Sequence, residues 1–254
     1  MLRFLKSKVT LMIVLLSGLA LASLAYFSST KNMQLNTITE ITSRDNITRT
    51  HGELRRKTIY KSRNSAVNIM SISPAGTLAT SSGTYIKYDH KYYIMTVGHG
   101  IQGSCELIRI VVGSSMYECQ ELSVIDREED YAFIEVGRIP ELMPVLVPHS
   151  LPKRNQWRDS LAIHTDVVYT GYPNSIGPLT LDGKIVGYDD AGLIFFHSFA
   201  WPGSSGSGVF SEDGKLIGYV MEINLGFTEY GISVLEDIII MVPIYRIDWE
   251  QLKQ

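Results

Sequence analysis

The stretch of sequence that most constrains the fold is WPGSSGSG at residues 201–208. Ser205 lies between Gly203 and Gly206, and closely spaced glycines suit a nucleophile on a tight turn, because they let the backbone approach a substrate carbonyl. The same composition also fits an ordinary Gly/Ser turn. The stretch therefore predicts chemistry only together with residues elsewhere in the chain.

The order of candidate residues separates the kinds of serine hydrolase. An α/β-hydrolase has glycine two residues after the serine and a histidine further on, but here Ser207 occupies that place and the last histidine is His197. A subtilisin-type order needs an aspartate before the histidine, and only Asp45 and Asp89 precede His99. The order that remains is histidine, aspartate, serine.

His99 and Asp130 are the best candidates for the first two places. His99 follows a β-type run and lies between Gly98 and Gly100, a setting that suits reaching into a cleft better than packing. Asp130 stands at the entrance of an apolar strand, where we expect it to be buried against a histidine, while its acidic neighbours at residues 128–129 are expected to be solvated.

Short strands follow one another from about residue 65, with no long amphipathic helix between them, which indicates an all-β barrel or sandwich. A proline-rich break near residues 140–160 divides them into two halves, and only Ile247, Trp249 and Leu252 have helical spacing. The predicted strands are 66–72, 83–88, 91–96, 107–112, 131–136, 166–170, 184–188, 193–197, 208–210, 215–223 and 231–235.

The first residues are predicted to form a leader. Arg3, Lys6 and Lys8 precede an uncharged, mostly apolar run at residues 9–27. This run fits either a signal peptide cleaved near residues 20–22 or an uncleaved membrane anchor. Both readings predict an exported protein, periplasmic, extracellular or membrane-anchored, whose remaining residues lie outside the cytoplasm.

Charge and cysteine content limit the partners. A net charge of −3 gives no basic excess, so nucleic acid is not expected as a partner. Cys105 and Cys119 flank a predicted hairpin that turns near residues 112–113, which leaves two readings open, a cross-strand disulfide or two buried thiols. No cysteine or histidine cluster has zinc spacing, and neither a metal nor another cofactor is expected.

Three motifs in this order resemble the active-site motifs of chymotrypsin-fold serine proteases, and are most similar to the branch of HtrA-type proteases and glutamyl endopeptidases. The separations of 31 residues from His99 to Asp130 and 75 from Asp130 to Ser205 also fit that branch. Typical HtrA proteins carry a PDZ domain, for which we expect no room here. The motifs are TVGH at 96–99, EDYAFI at 129–134 and PGSSGSGVF at 202–210, with GYP at 171–173 and GKLIG at 214–218 as flanking matches.

The resemblance covers about residues 65–254 and implies two six-stranded antiparallel β-barrels with a short C-terminal helix. Residues 28–50 hold nine serines and threonines and few large apolar groups, which is typical of a tether. The expected organisation is a leader at 1–27, a flexible tether at 28–62, an N-terminal barrel at 63–150 and a C-terminal barrel at 151–254. We also expect removal of the chain to about residue 60 to leave activity intact.

The resemblance implies a serine endopeptidase that acts through an acyl-enzyme on protein or peptide substrates. Ser205 would attack the carbonyl, His99 would act as base and acid, Asp130 would orient His99, and the backbone N–H groups of Gly203 and Ser205 would form the oxyanion hole. Ser204 stands where digestive members carry the aspartate that pairs with a newly cut amino terminus, so no such switch is expected. The implied substrate pocket comprises Phe199, Ala200, Trp201, Val220, Met221, Glu222 and Ile223.

Val220 stands where glutamyl endopeptidases place a histidine, which favours cleavage after a small or medium apolar residue. Two other readings compete with an active protease. One is a catalytically silent protease-fold module that binds peptides or misfolded chains. The other is a structural membrane-tethered protein, in which the three candidate residues do not meet. The sequence leaves the oligomeric state open.

Overall fold

An α-helix, α1 (Ile47–Ser65), precedes the first strand and ends directly against it. The computed structural model describes residues 47–147, 161–228 and 231–253, with the backbone alone for residues 47–51 and for the described part of 222–236. The predicted leader at 1–27 lies outside the described residues, and so does the part of the predicted break at 140–160 that begins at residue 148. Within the described ranges, no helix is long and apolar enough to cross a membrane.

The first half of the chain forms a curled sheet of eight strands rather than the closed six-stranded barrel that the resemblance implies. Its order is β5-β4-β1-β2-β3-β7-β6 with antiparallel neighbours, and β8 pairs in parallel with β2. The sequence pattern misses β5 and β6 because their side chains are mostly half-exposed. The strands are β1 (Ala66–Ile72), β2 (Leu78–Tyr88), β3 (Lys91–Thr96), β4 (Ile108–Val112), β5 (Ser115–Glu118), β6 (Glu121–Asp126), β7 (Tyr131–Val136) and β8 (Val145–Leu146).

The second half closes into a six-stranded antiparallel barrel of order β10-β11-β14-β13-β12-β9, so it leaves no strand edge unpaired. A 3₁₀-helix at Trp249–Lys253 takes the place of the predicted C-terminal helix. The predicted mostly β, chymotrypsin-like double-barrel fold is thereby confirmed, with the first half as a curled half-barrel sheet and the second as a closed barrel. The strands are β9 (Asp166–Gly171), β10 (Leu179–Tyr188), β11 (Ile194–His197), β12 (Gly208–Ser211), β13 (Leu216–Thr228) and β14 (Gly231–Pro243).

The central strands of the first sheet are buried on both faces. Tyr85 and Ile94 belong to the interior of the first half, whereas the neighbouring Ile86 belongs to a core shared with the second barrel. The C-terminal 3₁₀-helix seals this shared core, because the Trp249 ring lies 5.3 Å from the ring of Phe133 between centroids. Alternation along a strand thus supplies apolar contacts in both directions.

The β2–β3 hairpin turns on two residues, Asp89 and His90, whose φ angles are +44° and +68°. Positive φ at both central residues matches the right-handed twist of the flanking strands. Cys105 and Cys119 form a disulfide in the structure, with Cα atoms 5.3 Å apart, on either side of the β4–β5 hairpin that turns at Gly113. Of the two readings left open by the sequence, the structure has the bridge.

Helix α1 packs on the second barrel through hydroxyl groups. The Thr58 hydroxyl donates to the Glu212 carbonyl at 2.8 Å, and the Ser62 hydroxyl donates to the Thr170 hydroxyl at 2.7 Å. Thr58, Ser62 and Ser65 are all buried and share one helix face. Residues 47–62, predicted as part of a flexible tether, are therefore helical, and the prediction missed them because no apolar period marks this face.

Replacing both Thr58 and Ser62 by alanine is expected to lower the free energy of unfolding by about 1–3 kcal/mol, because two buried hydrogen bonds are lost. Urea denaturation measures the change. Lys57→Ala, at an exposed position of the same helix, is the control and is expected to stay within about 0.5 kcal/mol of the parent. Equal effects of the two changes would contradict a structural role for α1 and would restore the expectation that residues up to about 60 are dispensable.

Candidate active site

His99 and Asp130 make two hydrogen bonds at the end of β3. The His99 backbone N–H donates to Asp130 Oδ1 at 2.8 Å, and His99 Nδ1 lies 2.8 Å from Asp130 Oδ2. A carboxylate only accepts hydrogen bonds, so the proton lies on Nδ1 and Nε2 is the basic nitrogen. The Asp130 side chain is 15% exposed and that of His99 54% exposed, so the imidazole faces outward from a shielded carboxylate.

The loop before Asp130 is fixed on its own barrel. Asp126 Oδ1 accepts the N–H groups of Glu128 and Glu129, each at 2.9 Å, which closes a tight turn. The Arg127 guanidinium donates to the Gly98 carbonyl and, at 2.6 Å, to the Ile101 carbonyl. One side chain thus holds both flanks of the His99 segment.

The same loop is also tied to the second barrel. Arg246 Nε donates to Glu129 Oε2 at 2.7 Å, and the Tyr219 hydroxyl donates to the Glu129 carbonyl at 3.0 Å. Burial, reinforced by the charges of Asp130 and Glu129, raises the pKa of Tyr219, so this hydroxyl keeps its proton. The prediction that Glu129 is merely solvated is wrong, because it links the two barrels beside Asp130.

Ser205 reaches the site on the β11–β12 connection and is held by the first half of the chain. The Ser82 N–H in β2 donates to the Ser205 carbonyl at 2.8 Å. The Ser82 carbonyl in turn accepts the Thr96 hydroxyl at 2.7 Å, three residues before His99. A short chain of hydrogen bonds therefore runs from the serine loop to the strand that ends at the histidine.

The backbone of the serine loop includes a glycine with positive φ and two N–H groups that make no hydrogen bond within the described residues. Gly203 has φ +95°, and a Cβ there would lie 3.0 Å from the Asn174 nitrogen and the Tyr172 carbonyl oxygen. Within the described part of the chain, neither the Gly203 nor the Ser205 backbone N–H donates to a protein acceptor. Two such N–H groups on one turn can stabilise a developing oxyanion.

The turn after β9 packs against this loop from the other side. A Cβ at Gly171 would lie 2.2 Å from the Ser207 hydroxyl oxygen, so only glycine admits that hydroxyl. The Tyr172 N–H donates to the Ser82 hydroxyl at 2.8 Å, and the Asn174 N–H donates to the Pro202 carbonyl at 2.7 Å. The GYP segment is thus part of the site's framework.

The residues proposed for the substrate pocket differ in their exposure. Phe199 is 54% exposed and stacks on Trp201 with centroids 6.2 Å apart, next to the serine loop. Ala200 and Val220 are buried in the core, and Met221 is partly buried against it. Glu222 and Ile223 belong to β13, but their side chains lie outside the described residues.

Ser204 and Tyr169 occupy the space behind the loop. Ser204 is buried, and its hydroxyl oxygen accepts the Trp201 N–H at 3.3 Å. The Tyr169 hydroxyl donates to the Phe199 carbonyl. Burial raises the pKa of Tyr169, so a neutral hydrogen-bonding group stands here. Across the residues that the structure describes, no group of three or more histidine, cysteine or carboxylate side chains is arranged to hold a metal.

Two packed β-barrels, with a histidine–aspartate pair on one and a glycine-flanked serine on the other, define the chymotrypsin-fold class of serine proteases. The sequence model described as the trypsin-like peptidase domain matches residues 81–218, more than half of the chain, which belongs to this family. No curated protein matches the chain at a significant level.

Solved structures of bacterial proteases share the fold. A serine endoprotease from Yersinia pestis is 20% identical, with a TM-score of 0.60 over 79% of this chain and 67% of its own. The Rv3671c protease of M. tuberculosis in its active form is 20% identical, with a TM-score of 0.55 over 74% and 79%. The HtrA-type protease AlgW with a tripeptide is 18% identical, with a TM-score of 0.56 over 75% and 60%. At these identities the solved structures show that the fold is shared.

The sequence motifs contain the candidate catalytic residues but not the residues that position them. Ser82, Arg127 and Arg246 carry no motif, and their roles depend on contacts with residues at least 26 positions away. The one sequence signal for the framework is the GYP match at 171–173.

Asp130→Asn is expected to reduce kcat by about 10⁴-fold, the loss that the same change causes in serine proteases with this triad, because an amide favours the wrong tautomer of the histidine. Steady-state hydrolysis of a peptide substrate measures it. Glu128→Gln makes the same chemical change two residues away at an exposed position and is expected to leave kcat unchanged. If both variants keep parental kcat, Asp130 has no part in the reaction.

Proposed function

We propose that the protein is a serine endopeptidase that uses Ser205, His99 and Asp130 as its triad. The observation that carries this proposal is the 2.8 Å contact between His99 Nδ1 and Asp130 Oδ2. It orients a basic imidazole, and the Ser205 carbonyl accepts a hydrogen bond from Ser82 in β2, the strand that pairs with β3 just before His99.

The mechanism follows from the chemistry of these groups. His99 Nε2 takes the proton of the Ser205 hydroxyl as Oγ attacks the scissile carbonyl, and Asp130 stabilises the imidazolium that forms. The N–H groups of Gly203 and Ser205 donate to the oxyanion. His99 then gives its proton to the leaving amine, the C–N bond breaks, and an acyl-enzyme remains on Ser205. Water, activated by His99, releases the second product and regenerates the hydroxyl.

The pocket supports a preference for a small or medium apolar residue before the cleaved bond. Ala200 and Val220, which the resemblance assigns to the pocket, are small, apolar and buried, and no charge among the described side chains assigned to the pocket would pair with a charged substrate residue. Phe199 and Trp201 offer an exposed aromatic surface beside the loop. Protein or peptide segments in extended form are the substrates that this arrangement suits.

Export remains a proposal that rests on residues 1–27, with the protease body outside the cytoplasm and residues 9–27 as signal or anchor. A silent module that binds peptides or misfolded chains is the second candidate. A silent module would have the same fold but would not need a histidine oriented by a carboxylate. The contact between His99 and Asp130 therefore favours the enzyme.

Ser205→Ala and His99→Ala are each expected to abolish measurable hydrolysis of a casein-type protein substrate, because nucleophile and base act as a unit. A fluorophosphonate probe should label the parent at Ser205 and leave Ser205→Ala unlabelled. Ser204→Ala is the matched control and is expected to stay labelled. An unlabelled parent that cleaves nothing but binds peptides would establish the silent module instead.

A further inference from the structure

The direction of the two candidate oxyanion N–H groups is set by carbonyls. In a trans peptide the C=O and the following N–H point in opposite directions. The Gly203 N–H is therefore oriented by the Pro202 carbonyl, and the Ser205 N–H by the Ser204 carbonyl. Hydrogen bonds to these two carbonyls therefore determine the direction in which the two N–H groups point.

Both carbonyls are held by hydrogen bonds. The Pro202 carbonyl accepts the Asn174 N–H at 2.7 Å. The Ser204 carbonyl accepts the Ser207 N–H at 3.1 Å and the Ser207 hydroxyl at 2.6 Å. The bonds to the Ser204 carbonyl are internal to the serine loop, whereas the bond to the Pro202 carbonyl comes from the separate turn at 172–174. The position of that turn relative to the loop must therefore be fixed.

Ser82 connects the turn to the loop. Its hydroxyl donates to the Gly203 carbonyl at 2.7 Å and accepts the Tyr172 N–H at 2.8 Å. Its N–H donates to the Ser205 carbonyl at 2.8 Å. Ser82, in the first half of the chain, therefore contacts the 172–174 turn, the Gly203 carbonyl and the Ser205 carbonyl.

We infer that Ser82 is a positioning residue, whose hydroxyl locks the 172–174 turn to the serine loop and thereby aims the Gly203 N–H at the oxyanion. The inference rests on the proposed function, and deepens it by assigning part of the second barrel's catalytic geometry to a side chain of the first.

The neighbouring serine provides a matched comparison for the Ser82 hydroxyl. Ser81 and Ser82 are adjacent in β2, and both side chains are buried. Among the residues that the structure describes, the Ser81 hydroxyl has no hydrogen-bond partner, whereas that of Ser82 has two. Removing the Ser82 hydroxyl leaves the Gly203 carbonyl and the Tyr172 N–H unpaired, and these groups then seek other partners by moving.

Such a movement weakens the stabilisation of the transition state more than it weakens substrate binding. Donors that miss the oxyanion's position by a fraction of an ångström lose their stabilising effect, while contacts with the rest of a peptide remain. Ser82→Ala is therefore expected to lower kcat and to leave KM close to that of the parent. Loss of an entire donor costs about 10²–10³ in kcat, so a misaimed one is expected to cost about tenfold or more.

The experiment compares Ser82→Ala with Ser81→Ala in the full chain. Steady-state hydrolysis of a peptide substrate gives kcat and KM, and inhibition by a peptide boronate, which forms a tetrahedral adduct on serine, gives a second measure of oxyanion stabilisation. Ser82→Ala should lose kcat and boronate affinity by similar factors, whereas Ser81→Ala should match the parent. Faster amide hydrogen exchange at Tyr172 in Ser82→Ala alone reports the released turn directly.

The outcomes separate the two proposals. If the parent cleaves through Ser205 and both alanine variants match it, the role of Ser82 is overturned and the proposed function stands. If Ser205→Ala is as active as the parent, the proposed function falls, and this inference falls with it. Should Ser82→Ala fail to fold, Ser82→Cys decides, since it keeps the volume and offers only a weak donor; parental kcat in that variant would overturn the inference.

Discussion

The site depends on the hydrogen bonds between Ser82 and the serine loop. The two halves share an apolar core, but apolar contacts are not directional, so they do not by themselves set how the rims of the two sheets meet. The Ser82 N–H and hydroxyl bind the Ser205 and Gly203 carbonyls, each across more than 120 residues of chain. Because hydrogen bonds are directional, they fix the serine loop against β2 in a way that the shared apolar core does not.

A second set of contacts braces the opposite side of the same junction. Arg127 holds the carbonyls that flank His99, and Arg246 and Tyr219 hold Glu129 from the second barrel. The loop that carries Asp130 is therefore fixed to both halves of the protein. Chemistry that needs groups from two barrels to remain within hydrogen-bond reach gains from such bracing, because small displacements of reacting groups cost large factors in rate.

Elements with local signals were predictable. The β2–β3 hairpin follows from alternating apolar residues around Asp89 and His90, and the pairing of Cys105 with Cys119 was one of two readings of a hairpin between them. Helix α1 was missed because its buried face carries Thr58, Ser62 and Ser65 instead of apolar residues. The open first sheet was also missed, since closure depends on how β5 and β6 meet at its ends, and their half-exposed side chains give no clear alternation.

The sequence by itself determined the class of fold and the candidate residues, because glycine-flanked serine, a histidine after a strand and an aspartate before one are local patterns in a fixed order. Only the tertiary structure decided what positions them. Ser82, Asn174 and Arg246 act through contacts between residues distant in sequence, and a serine or arginine carries no mark of the partner it will meet. The packing of the two halves determines which carbonyl accepts a hydrogen bond from a buried hydroxyl, because the two groups come together only when both halves have folded.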